Sequence, residues 1–220
     1  MKQLLTHLRS IGSTAVYRKG STIYFQGEIP RYSCIVLDGA VKGYTITPEG
    51  NESVVTLFGK GSIIPVAWSN GQSNSSLYNY ETMGDVRVLK VTRNDLMSAI
   101  DNNPVYQHEY LDFLRHSQAG LMLRITGLCQ SKASEKICYT LYYLTFRYGI
   151  DKGDGMWEID LKLPQSLLAN LIGQTRESTA KNLKRLREDG VVEYSTARFR
   201  VNKPRLESYL GEDAFRELIL

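Results

Sequence analysis

The sequence contains few cysteines, and those it has are scattered. Cys34, Cys129 and Cys138 are the three cysteines among 220 residues, and no two of them form a Cys-x-x-Cys pair. A disulfide framework needs paired cysteines, and a structural zinc or iron–sulfur site needs about four clustered ligands. We therefore expect buried free thiols and no metal site.

Long apolar runs and the signatures of common enzyme classes are also absent. No segment approaches the roughly 18 consecutive apolar residues of a membrane span, and residues 1–5 do not begin a signal peptide. His108 and Glu109 are adjacent, but there is no His-Glu-x-x-His motif, nucleophile elbow or phosphate-binding glycine loop. These absences predict a cytoplasmic protein that is neither bound to a membrane nor an enzyme.

Positive charge is concentrated in one segment of the chain. The formal net charge is +4, but residues 161–205 include ten Lys or Arg against four Asp or Glu. A basic segment in one place indicates an anionic partner, with double-stranded DNA as the first candidate. On charge alone, a solvated basic face without a partner would explain the segment equally well.

The first part of the chain, over about residues 15–91, has the pattern of β-structure. Short apolar or alternating runs such as 33–37, 41–46 and 53–58 are separated by turn signals of the type Asp38-Gly39. Turns about every 8–12 residues between short strands predict an antiparallel sandwich or barrel.

A change of period after residue 91 predicts helices. Thr92 begins a short helix as a capping residue, and Pro104 begins a long one because proline is tolerated in a first helical turn. In the long helix, spacings of three and four alternate as in a heptad seam formed by Leu111, Leu114, Gln118, Leu121, Ile125 and Leu128. The seam predicts a parallel coiled coil between two copies of the chain, with Gln118 fixing the register. The alternative is that the stripe packs on its own domain.

The last third of the chain has the most informative pattern. Its predicted elements are a helix (132–148), a strand (157–161), a short helix (164–172), a second helix from Thr175 and a basic hairpin (191–194 and 198–201). Gly173 marks a tight turn between the two short helices. Two helices joined by a tight turn and followed by a hairpin, or wing, are typical of a winged helix-turn-helix.

The second of these helices has two different faces. Thr179, Leu183 and Leu186 share an apolar face, and charged residues occupy the opposite side. The residues that we expect to contact DNA are Thr175, Arg176, Glu177, Ser178, Lys181 and Lys184, with Arg198, Arg200 and Lys203 from the wing region. Arginine can donate two hydrogen bonds to guanine, glutamate can accept one from cytosine, and lysine can reach guanine or phosphate. Thr175 is the expected N-cap and presents the positive end of the helix to phosphate.

These features resemble the Crp/Fnr superfamily of bacterial transcription regulators over nearly the whole chain. Residues 176–181 (Arg-Glu-Ser-Thr-Ala-Lys) are similar to the family's recognition helix, which usually has Arg in place of Lys181. The resemblance implies an α+β fold with an antiparallel cyclic-nucleotide-binding-like β-roll (1–103), a dimerisation helix (104–130) and a winged helix-turn-helix (131–220). It also implies an activator that binds a palindromic site as a homodimer and contacts RNA polymerase.

The N-terminal half of the chain, which holds the expected β-roll, differs from the family's cyclic-nucleotide pocket. The family's Gly-Glu-Leu and phosphate-binding Arg are replaced by Gly-Ser-Ile-Ile at 61–64 and Ser-Ser-Leu at 75–77, and no Arg or Lys occurs between Lys60 and Arg87. Since a buried cyclic phosphate needs a cationic partner, we do not expect cyclic AMP as a cofactor. A pocket for a non-nucleotide effector, or no effector at all, is expected near Ile63, Ile64, Val66, Trp68, Ser75, Ser76 and Tyr78.

Other interpretations remain open at this point. A haem could be held by His108 or His116, although both lie on the predicted dimerisation helix, where a solvated histidine is the simpler interpretation. A cyclic-nucleotide-binding-type regulatory module without DNA binding would explain the β-roll but not the basic C-terminal third. Retention on DNA or heparin resin at about 0.15 M salt would separate such a module, or an enzyme, from a DNA-binding regulator.

Overall fold

The structure, a computed structural model, describes residues 1–211. The chain divides into two units, Met1–Arg115 and His116–Leu220, each with a core of its own. The boundary lies inside a long helix, α4 (Pro104–Leu128), and the three-part division expected from the sequence stays a prediction. Residues 212–220 of the expected C-terminal domain lie outside the described residues.

The first unit is built from two antiparallel sheets and flanking helices. In chain order its elements are α1 (Lys2–Ile11), β1 (Ser13–Tyr17), β2 (Thr22–Tyr24), β3 (Ser33–Asp38), β4 (Val41–Ile46), β5 (Glu52–Phe58), β6 (Ile63–Ile64), α2 (Val66–Ser69), β7 (Asn79–Thr82), β8 (Val86–Val91) and α3 (Arg93–Asn102). One sheet has the order β1-β8-β3-β6 and the other β2-β7-β4-β5. This is the antiparallel β-roll expected from the short alternating runs.

The sheet that contains β3 is covered on both faces. Alternate residues of a strand point to opposite faces. Cys34 and Val36 accordingly face a cluster enclosed between the two sheets, whereas Ile35 joins Leu4, Leu96 and other residues under the helices. Burial on both sides explains why β3 has a continuous apolar run instead of an alternating one.

Helix α1 was not among the predicted elements, and its start is held by a residue of α4. The Glu109 carboxylate accepts hydrogen bonds from the N–H groups of Gln3 at 3.0 Å and Leu4 at 2.9 Å, and so caps the start of α1. Burial acts to raise the pKa of Glu109, but these backbone hydrogen bonds and the nearby terminal amine lower it. His108 is not involved in this cap and lies exposed beside Asp112.

The second unit contains the C-terminal part of α4 (Pro104–Leu128) and all later elements. These are α5 (Ala133–Tyr148), β9 (Gly149–Asp151), β10 (Met156–Ile159), α6 (Gln165–Ile172), α7 (Arg176–Glu188), β11 (Val192–Ser195), β12 (Arg198–Asn202) and α8 (Lys203–Leu210). The four strands form one antiparallel sheet of order β11-β12-β10-β9. Helix α5 lies at the centre, because Ile137, Leu141 and Leu144 are each fully buried.

The predicted starts of the helices are confirmed. Thr92 caps α3 by accepting a hydrogen bond from the Asp95 N–H at 3.1 Å, and α4 begins at Pro104. Within residues 1–211, no helix is long and apolar enough to cross a membrane. Among the same residues, no group of three or more His, Cys, Asp or Glu side chains is placed to hold a metal ion.

Candidate DNA-binding surface

Helix α6 ends in a turn whose geometry depends on one glycine. Gly173 has φ 63° and ψ 41°, in the left-handed region that favours glycine. Its N–H donates to the Asn170 carbonyl, and the Gln174 N–H donates to the Ala169 carbonyl at 3.0 Å. These bonds close α6 and redirect the chain, so that α7 begins directly after Thr175. The tight turn predicted at Gly173 is confirmed.

Helix α7 is capped at its start and buried along one face. The Thr175 Oγ1 accepts a hydrogen bond from the Ser178 N–H at 3.1 Å, which is the predicted N-cap. Thr179, Leu183 and Leu186 are the buried residues of the helix, also as predicted. This face packs on α5 and α6 and therefore fixes which side of α7 is presented to solvent.

The opposite face of α7 carries the predicted base-reading residues. Glu177, Lys181 and Lys184 are exposed there, Arg176 is exposed in the first turn near the edge of that face, and Ser178, whose N–H donates to the Thr175 cap, is half-buried. Because the exposed side chains take no part in the core, they can approach the major groove without any change in the fold. The structure thus brings the predicted residues of this helix together on one surface.

The wing is the hairpin of β11 and β12. In its register Ser195 lies opposite Arg198 and Glu193 lies opposite Arg200. Alternation along β12 buries Phe199 between the two exposed arginines. Arg198 and Arg200 therefore point away from the core on the same side of the strand, as phosphate contacts would require.

Both wing arginines face a carboxylate, Glu158, that was not among the predicted site residues. Glu158 on β10 is the cross-strand partner of Arg200. Its carboxylate oxygens lie 3.6 Å from Arg200 Nε, 3.9 Å from Arg198 Nη1 and 3.6 Å from Lys152 Nζ. One negative charge is thus shared among three cations at the edge of the surface. No sequence signal identifies Glu158, because its role depends on the pairing of β10 with β12.

Lys203 is placed differently from the prediction. It is the first residue of α8 rather than part of the wing, which ends at Asn202. Its Nζ lies 2.8 Å from the buried Glu207 carboxylate, and its side chain is only 18% exposed. A lysine that neutralises a buried glutamate is not free to bind phosphate, so Lys203 is better explained as a structural residue.

The interior of the β-roll is filled by aromatic side chains. Tyr80 packs between Tyr24 and Phe58, at ring-centroid distances of 6.3 and 5.3 Å. The Phe58 ring also packs directly on the backbone of β4, since a Cβ at Gly43 would lie 2.8 Å from it. Tyr24 donates to the Tyr32 carbonyl at 2.7 Å, which satisfies its buried hydroxyl.

The expected effector-pocket residues do not all line one space. Ile64 joins the cluster between the sheets, whereas the adjacent Ile63 points to the opposite face and packs under the helices. Val66 is exposed, and the buried Trp68 stacks under Arg93, whose guanidinium lies 5.7 Å from the ring. The residues predicted for the effector pocket therefore do not form one common pocket.

The serine segment of that set closes on a neighbouring loop. The Ser76 N–H donates to the Glu28 carbonyl at 2.8 Å, and the Gly27 N–H donates to the Ser76 carbonyl at 2.8 Å. The Ser76 hydroxyl donates to the Tyr78 carbonyl at 2.7 Å. Ser75 is half-buried beside this network. The N–H, carbonyl and hydroxyl groups of Ser76 are thus engaged within the protein.

The predicted coiled-coil seam is largely exposed in the single chain. Leu111, Leu121, Ile125 and Leu128 are between 41% and 53% exposed. Gln118 is exposed too, whereas Leu114 packs in part on the core of the first unit. The described chain thus presents four apolar residues at heptad spacing on its surface.

Two family models match the chain. Residues 14–103 match the model described as a cyclic nucleotide-binding domain, and residues 135–209 match the model described as a Crp-like helix-turn-helix domain. The first match includes nearly all strands of the β-roll, and the second includes α6, α7 and the wing.

Similar proteins include regulators of known name. The global nitrogen regulator of Synechococcus elongatus is 26% identical over 208 residues, which are 91% of this chain and 93% of that protein. The CRP-like cAMP-activated global transcriptional regulator of Mycobacterium tuberculosis is 25% identical over 169 residues, or 76% of this chain and 74% of that protein. The solved structure of FixK2 from Bradyrhizobium japonicum has the same fold, with a TM-score of 0.70, 23% identity and coverage of 90% of this chain and 96% of that one.

Proposed function

The chain belongs to the Crp/Fnr superfamily of bacterial DNA-binding transcription regulators, and from that premise we propose that it reads a palindromic site as a homodimer through α7. The observation that carries the proposal is that this helix is buried along one face and exposed along the other. Its inner face is fixed in the core by Thr179, Leu183 and Leu186, and Arg176, Glu177 and Lys181 are exposed on the outer face.

Each of the outer residues has a chemical role in this proposal. Arg176, in the first turn, donates a bidentate pair of hydrogen bonds to guanine, and Glu177 accepts one from cytosine. Lys181, about one turn further along, contacts a neighbouring base or a phosphate. Unlike arginine, lysine has no planar guanidinium group that can form two parallel hydrogen bonds, so it discriminates less between bases. Arg198 and Arg200 of the wing bind phosphate and position the protein without reading sequence.

The seam on α4 supports the dimer. Exposed leucines at 111, 121 and 128 and the exposed Ile125 would be covered by the same residues of a second copy. Two recognition helices related by a two-fold axis match half-sites about one DNA turn, or roughly 34–36 Å, apart. Membership of this family also supports the proposal that the protein is an activator and has RNA polymerase as a further partner.

The sensory domain is proposed to respond to a molecule other than a cyclic nucleotide, or to none. In the described part of the first unit, the buried polar side chains are uncharged: Ser33, Ser62, Ser69, Ser76 and Thr82. A cyclic phosphate enclosed there would lack the cation that it requires. The aromatic cluster of Tyr24, Phe58 and Tyr80 also occupies the space between the sheets. Titration calorimetry with cyclic AMP and cyclic GMP should show no tight binding, and a submicromolar dissociation constant would refute this part.

Selection from randomised duplexes tests the DNA-reading proposal. The parent protein should enrich a palindrome with a G·C pair in each half-site. The Glu177→Ala variant should enrich the same palindrome with relaxed preference at one base pair, and its affinity for unrelated duplexes should be unchanged. A parent protein that enriches no sequence, or that elutes from DNA resin at about 0.15 M salt, would refute the proposal in favour of a regulatory module without DNA binding.

A further inference from the structure

A buried arginine joins α4 to the end of the first helix of the helix-turn-helix. Arg124 is only 6% exposed, and its Nη2 donates a hydrogen bond to the Leu171 carbonyl at 3.2 Å. Burial lowers the pKa of its guanidinium, which is the signature of a charge held away from water. A buried charge is costly and persists where its hydrogen bonds fix a particular arrangement.

The carbonyl that Arg124 contacts belongs to the last turn of α6. The carbonyls of this turn have no partner within the helix, and those of Ala169 and Asn170 are satisfied by the Gly173 turn. Arg124 provides a donor for the Leu171 carbonyl and places a positive charge at the negative end of the helix dipole. The end of α6 is therefore held by a side chain 47 residues away along the chain.

The part of α4 that carries Arg124 is packed tightly against α5. A Cβ at Gly120 would lie 2.7 Å from the Arg147 side chain, and one at Gly127 would lie 2.8 Å from Tyr139 Cβ. The Arg147 guanidinium also donates to the Ser117 hydroxyl at 2.9 Å. This stretch of α4 therefore has one face against α5 and α6 and another that carries the exposed seam.

We propose that Arg124 is a positioning residue for DNA reading: it fixes the turn before α7 relative to the helix that carries the dimer seam. The inference rests on the proposed function, because it matters only if two recognition helices must meet two half-sites at a set distance. Tethering the end of α6 to α4 makes the seam and α7 parts of one framework. Without the tether, α6 and the turn can shift by a small amount, and the distance between the two recognition helices is less well defined.

The test compares Arg124→Met with the matched exposed variant Arg115→Met on the same helix. Methionine is similar in length and apolar, and the exchange of a buried charge for an apolar group is often neutral or stabilising. We expect folded dimers by sedimentation and thermal melting for both variants. Arg124→Met should bind the selected palindrome about tenfold more weakly and an unrelated duplex as the parent does, and it should tolerate palindromes whose half-site spacing differs by one base pair. Arg115→Met should behave as the parent in all three measurements.

The spacing preference separates positioning from simple stability. A loss of stability alone would lower the folded fraction equally for every duplex and leave the preferred spacing unchanged. Parent-like affinity and spacing in Arg124→Met would overturn the inference. If that variant does not fold, Arg124→Leu decides in its place, because leucine also lacks a donor for the Leu171 carbonyl: a folded Arg124→Leu dimer with the parent's strict spacing would refute the inference, and a relaxed spacing would support it. A parent protein without any sequence preference would instead refute the proposed function.

Discussion

The replacement of Arg176 by alanine is the sharpest test of how α7 reads DNA. Arg176 is the exposed first residue of the helix and takes no part in its buried face, so its loss opens no cavity. Alanine is also a good helix former. We therefore expect a change in the free energy of unfolding of less than about 0.5 kcal/mol, as for most surface substitutions. The effect on DNA should be much larger, since a bidentate guanine contact contributes about 1–3 kcal/mol of discrimination.

A loss of about 1–3 kcal/mol of binding free energy converts to roughly a 5- to 150-fold loss of affinity for each half-site that contains the guanine. Denaturant unfolding measures the first quantity, and fluorescence anisotropy with the selected palindrome and with an unrelated duplex measures the second. Arg176→Lys is the matched control, because it keeps the charge but not the planar fork. It should retain binding to the unrelated duplex and lose most of the guanine preference. If Arg176→Ala selects the parent's sequence with the parent's affinity, α7 does not read bases as argued.

Three further predictions follow from the seam, the wing and the cysteines. Leu121→Glu combined with Ile125→Glu places charges in the seam and should give monomers that bind DNA poorly; a dimer in sedimentation would rule the seam out. Glu158→Gln frees three cations, so affinity for all duplexes should rise about fivefold and the salt slope should steepen by about one; weaker binding would show that the carboxylate positions the wing instead. Cys34 and Cys138 are buried as expected, but Cys129 is exposed, contrary to the expectation of buried thiols. Burial raises the pKa of the Cys34 thiol to about 11, so at pH 8 it is protonated, and iodoacetamide should label Cys129 first; equal labelling rates in the native protein would contradict this.

The features that could be predicted from the sequence depend on neighbours close along the chain, within one or two turns of a helix or a few residues of a strand. The buried stripe of Thr179, Leu183 and Leu186 follows from the helical repeat, the turn follows from Gly173, and the start of α7 follows from the capping hydroxyl of Thr175. Each is a local effect, in which a residue acts on groups three or four positions away. The exposed base-reading face could be identified for the same reason, because it is what the buried stripe leaves on the other side.

The features that could not be predicted join residues that are distant along the chain and come together only in the fold. The pairing of β10 with β12 sets Glu158 beside the wing arginines, and the packing of α4 places Arg124 at the end of α6. The ion pair with the buried carboxylate of Glu207 occupies Lys203, whose charge had suggested a contact with DNA. A charged side chain is equally compatible with solvent, phosphate or a buried partner when only its sequence neighbours are known. The fold decides among these three environments by bringing an opposite charge or an unsatisfied carbonyl within about 4 Å of the side chain. Distance matters because the electrostatic attraction weakens as the groups separate and as water reaches them.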